Sequence, residues 1–185
     1  MEKISIEEYG LTLINDLNYS VNSSDNMYTY DYEYYGEDCD KNCIVSRHGI
    51  ISSIDEGKSA ILLASGGGTG IHESCYVLDG RNLIICVSDS LFSLKVPELS
   101  LNWKVKADSV TSFEVFKFWD GYIIHGELEI TYINLNGIKE WEFSGRDIFT
   151  TIDGKDTFLI KDNYIVVKDW LGYKYKIDRY GKEIV

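Results

Sequence analysis

The chain has 185 residues, which suits one domain, or two only if both are small. Hydrophobic residues make up 44% of it and charged residues 26%, enough apolar content to bury a core and too much for a disordered tail. Thirty acids against eighteen bases give a net charge of −12, which argues against non-specific binding to nucleic acid or an anionic membrane, because phosphate needs clustered Lys and Arg.

Fourteen Tyr, seven Phe and four Trp with a single Pro favour strands. The start, Met1-Glu2-Lys3-Ile4-Ser5, has neither the basic nor the apolar region of a signal peptide. No apolar run approaches the ~18 residues of a membrane span. The expected setting is therefore cytoplasmic, with Cys39, Cys43, Cys75 and Cys86 as reduced thiols, the last two buried as small hydrophobes.

In chain order, Ser5-Ile6-Glu7-Glu8 reads as a capping box, and Ile6, Tyr9, Leu13 and Leu17 then fall at helical spacing. This permits a short N-terminal helix. Gly10 weakens it, and the alternation Leu11-Thr12-Leu13 permits a strand instead. Residues 18–43 are polar, with six acids and no base between Asp25 and Asp40. Tyr28, Tyr30, Tyr32 and Tyr34 alternate at period two, predicting a strand with one aromatic face and one acidic face. Such a face serves as a half-exposed strand or as a contact surface for a basic protein partner. The expected organisation is a single domain, 1–185, with a variable segment over 1–43 and a β-repeat region over 44–185.

From Ile44 onward, short apolar runs alternate with turn residues such as Asp55-Glu56-Gly57, and no helical period persists. The C-terminal half repeats itself about every 40 residues. Segments beginning near Leu83, Tyr122 and Tyr164 each carry an apolar strand, a break, a second strand, a tight turn and a third strand. Asn136-Gly137 predicts a two-residue hairpin turn, Tyr180-Gly181 turns the last copy, and Pro97-Glu98 turns the first by another route. The units resemble β-propeller blades, down to the Asn136-Gly137-Ile138-Lys139-Glu140-Trp141 ending of quinoprotein-type repeats. Three copies are too few to close a ring, and residues 44–80 are the candidate for a degenerate fourth. The expected fold is thus all-β and mainly antiparallel, built as an open or partial propeller or a twisted sandwich.

Ser65-Gly66-Gly67-Gly68-Thr69-Gly70-Ile71-His72-Glu73 is the most unusual stretch. Consecutive glycines let amides converge on an anion, which makes Gly67, Gly68, His72 and Glu73 candidate binding residues. The stretch fits neither a Walker A nor a dinucleotide fingerprint, and tight packing against other backbone explains it equally well. On a strand, His125, Glu127 and Glu129 share one face, a set suited to a metal or to acid–base work, and equally to a solvated face. Cys39-x3-Cys43 with nearby His48 lacks knuckle spacing and a fourth ligand for zinc. No nucleophile elbow or catalytic cysteine signature is present. Asp147 and Asp153 read as turn residues, and the Asp153 segment lacks the acids of a calcium loop.

The stretches Gly66–Glu73, Trp103–Asp108, His125–Ile130 and Gly145–Phe149 resemble a family of uncharacterised bacterial β-strand-repeat proteins over about residues 47–185. The resemblance implies a bacterial, cytoplasmic setting and brings no activity, ligand or site role. Together these readings favour a non-catalytic interaction protein for a basic partner, an immunity-type protein being one form, with no cofactor and no resident metal. The alternative is a metal-dependent enzyme using His125, Glu127, Glu129 and His72.

Overall fold

A computed structural model describes residues 3–54, 57–151 and 158–184. The turn predicted at Asp55-Glu56 and the Asp153 turn lie outside these residues. The described residues form four small sheets. The first contains β1 (Lys3–Ile6), β2 (Leu11–Asn15), β3 (Tyr32–Tyr35), β4 (Ser46–Ser52) and β5 (Ser59–Ala64), in the order β1-β2-β4-β5-β3. The second runs β6 (Tyr76–Asp79), β7 (Asn82–Val87), β8 (Ser90–Lys95), β9 (Ser100–Lys106). The third runs β10 (Ser112–Phe118), β11 (Gly121–Gly126), β12 (Glu129–Asn134), β13 (Lys139–Ser144), and the fourth β14 (Phe158–Ile160), β15 (Tyr164–Lys168), β16 (Lys174–Asp178). Every pairing is antiparallel except β3 with β5.

Side-chain alternation explains how the sheets stack. On β7, Leu83, Ile85 and Val87 join Leu13, Ile50 and Leu62 of the first sheet in one buried cluster. Ile84 and Cys86, between them in sequence, join Val115, Tyr122 and Ile124 of the third sheet. On β11, Ile123 turns the other way, toward Ile165, Val167 and Ile177 of the fourth. A strand packed on both faces is apolar throughout, which is why Ala60–Ala64 and Leu83–Val87 read as unbroken runs rather than alternating ones. The outer face of the first sheet is covered by its own chain, where Tyr19, Tyr30, Tyr35 and Ile44 close over Ile61 and Leu63. Among the described residues no apolar cluster joins the first sheet to the fourth. The architecture is a stack of small, mainly antiparallel, blade-like sheets.

Three local expectations need correcting. The N-terminal helix is a single 3-10 turn, Glu7–Tyr9, between two strands. Gly10 ends it in the left-handed region at φ 55, its N–H donating to the Glu7 carbonyl, and Ser5 provides no cap. The alternation Leu11/Leu13 prevails because β2 gains two strand neighbours and buries both side chains. The tyrosine strand is shorter than its pattern. Only Tyr32–Tyr35 pair with β5, while Tyr30 leaves the strand to lie over Gly49, where a Cβ would collide with its hydroxyl. The repeat is also out of phase with the sheets. Each sheet begins one strand earlier, at β6, β10 or β14, so residues 44–80 divide between the first sheet and the second.

The turn at Asn136-Gly137 has three residues rather than two. Gly137 N–H donates to the Asn134 carbonyl and Asn134 N–H to the Ile138 carbonyl, with Gly137 at φ 79. The Asn134 side-chain oxygen accepts from the Asn136 and Ile138 amides. Asp178 repeats every one of these bonds with Tyr180, Gly181 and Lys182. Each turn is clamped by a tryptophan of the preceding sheet. Trp103 Nε1 donates to the Leu135 carbonyl at 3.1 Å, and Trp141 Nε1 to the Arg179 carbonyl at 3.0 Å.

Candidate functional site

The glycine-rich loop is an internal packing joint. Gly67 N–H donates to the Val110 carbonyl at 2.7 Å, and a Cβ there would collide with the Thr111 hydroxyl. Gly68 faces Val45 across ordinary contact distance. Thr69 ties the first two sheets together: its N–H donates to Ser46 Oγ, and its hydroxyl oxygen accepts from the Ser88 amide, both at 2.9 Å. His48 Nε2 lies 3.2 Å from the Thr69 carbonyl, and Nδ1 makes no hydrogen bond of normal geometry among the described residues. Complete burial lowers the His48 pKa to about 4.

Beyond the loop, His72 and Glu73 are exposed. His72 and His125 line one shallow cavity of about 270 Å³ with Phe113, Glu114, Phe149, Thr150 and Thr151. His125 is buried. Its Nδ1 meets Glu114 Oε2 and its Nε2 the Phe149 carbonyl, each at 2.8 Å, while Phe158 stacks on the ring. The bond from His125 holds the Glu114 carboxyl below its ordinary range.

Glu127 and Glu129 do not join His72 and His125 in this cavity. His125 is the last residue but one of β11, Glu127 sits in the hairpin turn, and Glu129 starts β12, so the three do not share the strand expected of them. Glu129 instead accepts from Ser109 N and Oγ. Among the described residues no group of three or more His, Cys, Asp or Glu is arranged to hold a metal. Glu114 was missed from sequence. The signal for it was Asp120-Gly121, because a tight turn that sets Gly121 opposite Phe118 also sets His125 opposite Glu114.

The second candidate region is the segment over the outer face of the first sheet. All six acids between Asp25 and Asp40 are exposed. Tyrosine hydroxyls fix the backbone that bears them. Tyr19 and Tyr35 both donate to Glu33, and Tyr30 donates to Asp16 at 2.8 Å. Burial and these carboxylate partners push the Tyr19 and Tyr30 hydroxyls well above the usual tyrosine range, so both remain donors. Asp31 Oδ2 accepts from Ser59 N and Oγ, and Glu37 accepts from the Lys106 amide. Two concavities of about 420 and 250 Å³ flank Tyr19. Exposed Val21 and Met27 lie along the same segment.

No family model matches the chain, and no curated protein matches it. Among solved structures it is similar to the AfRom2 CNH domain, at a TM-score of 0.47 and 10% identity, over 100% of this chain and 69% of that one. No helix among the described residues is long and apolar enough to cross a membrane.

Proposed function

We propose that this chain is a non-catalytic binding module that docks a basic protein on the acidic, tyrosine-rich face of its first sheet. The observation that carries the reading is the set of six exposed carboxylates, Asp25 to Asp40, on a segment held by half-buried tyrosine hydroxyls. A surface ordered before contact loses less entropy on binding, and one sign of charge raises the encounter rate of a partner of the other sign. Tyr28 and Met27 supply apolar area among the charges. An immunity-type protein that neutralises a basic toxin is one form such a module takes. The four cysteines carry free thiols, which favours a reducing, cytoplasmic setting.

The test is affinity capture from cell extract at low and at raised salt, with wild type and the variant Asp25→Asn/Asp38→Asn. These two carboxylates make no hydrogen bond among the described residues, so the variant removes charge without loosening the segment. A basic protein held by wild type at low salt, and released by the variant and by salt, is expected. Capture of the same protein equally by both would overturn the reading.

A further inference from the structure

The clamped turns create two equivalent grooves, one between the second and third sheets and one between the third and fourth. In the later groove Trp141 is paired across the strands with Tyr132. The Tyr132 ring stacks on Trp141 with centroids 5.6 Å apart and planes 21° apart. Its hydroxyl donates to Asp120, which Arg179 approaches at 3.6 Å. There the Tyr132 ring fills the space beside the clamping tryptophan.

The earlier groove has the same framework and a different lining. Trp103 is paired across the strands with Ser93, at the position Tyr132 occupies in the next sheet. Where a phenol ring would lie there is a hydroxymethyl group, and a cavity of about 390 Å³ opens, within the range of small-molecule sites. Trp103 lies against Gly137 on one side, and Tyr122 approaches it at 6.1 Å with a 47° tilt. The remaining lining consists of Asn82, Asn102, Asn136 and Leu135, so in a chain of net charge −12 this cavity contains no charged side chain.

The polar groups are already oriented. Asn102 Nδ2 donates to Asn82 Oδ1 at 3.0 Å and to Ser93 Oγ at 3.2 Å. That leaves Asn102 Oδ1 as acceptor, Asn82 Nδ2 as donor, and the Asn136 amide as both. We propose that this groove binds a neutral saccharide of one or two pyranose units. A pyranose presents apolar C–H faces to an indole or phenol ring, and hydroxyls that each donate and accept. An ion would lose its hydration and find no counter-charge among these residues.

The site is separate from the acidic face and independent of the partner proposed for it. The test uses the full chain and the methyl glycosides of glucose, galactose, mannose and N-acetylglucosamine, read by saturation-transfer NMR and tryptophan fluorescence. At least one is expected to bind wild type. Ser93→Tyr, which rebuilds the filled groove of the next sheet, and Asn102→Ala should each weaken it by about tenfold or more. Should Ser93→Tyr fail to fold, Asn102→Ala and Asn136→Ala decide. Binding of none of the four by wild type, equal binding by the folded variants, or equally tight binding of methyl glucuronide would each overturn the proposal.

Discussion

His48 shows what burial does to a single ionisable side chain. Its folded pKa of about 4 lies below the ordinary 6.5, so the unfolded chain binds a proton first as pH falls. The stability this provides is fully present above pH 6.5 and is lost as pH falls toward 4. Wild type should lose about 2 kcal/mol between pH 7 and pH 5 through this group, and His48→Gln should lose correspondingly less, measured by urea denaturation at both pH values. Glu114 acts lower on the scale. Its depressed pKa gives stability above its ordinary range that is lost as pH falls through the folded value, so Glu114→Gln should flatten the acid limb below that of His48. Asp108 is a four-fold polar joint: Oδ1 accepts from the Val110 and Thr111 amides and Oδ2 from those of Leu128 and Glu129. Asp108→Ala strands four donors and should cost about 3–5 kcal/mol in the same denaturation experiment. Neither His48 nor Asp108 could be ranked from sequence, because burial at these positions comes from the loops that meet there. Cys75 and Cys86, expected inside as small hydrophobes, are both buried, and burial pushes the Cys75 thiol up to about 11.

At the scale of elements, the strands were legible wherever an apolar run met a turn, and their grouping into sheets was not. The repeat spacing reports one blade length without its starting point, and only the pairing of β6 with β7 or β10 with β11 shows where a sheet begins. The Asn136-Gly137 turn was located correctly and typed wrongly. The cause is Asn134, whose side chain takes two turn amides and so stabilises the longer loop. Gly137 is fixed twice over, by φ 79 and by Trp103, whose Cδ2 would lie 2.5 Å from an added Cβ. Gly137→Ala should therefore lower stability by about 1–3 kcal/mol. It should also change the emission of Trp103, the second effect separating a displaced clamp from backbone strain alone.

For the molecule as a whole, the stack has two unlike ends. Residues 1–64 contain twelve acids and four bases, while residues 157–185 contain four acids and six bases. The acidic cluster was visible in the sequence. Its placement over the outer face of the first sheet was not, since that depends on β3 pairing in parallel with β5 across a long connection. That His72 and His125 share a cavity was likewise hidden, because His72 lies in the loop before β6 and His125 on β11, and the packing of β6 and β7 against β10 brings them to one place. A basic partner docked on the acidic face of the first sheet leaves the fourth sheet out of the contact. Hydrogen–deuterium exchange on the complex with the captured basic protein tests this most directly. Slowed exchange across residues 19–44, with residues 158–184 unchanged, is the predicted result; protection confined to the third or fourth sheet, with 19–44 exchanging as in the free chain, would contradict it.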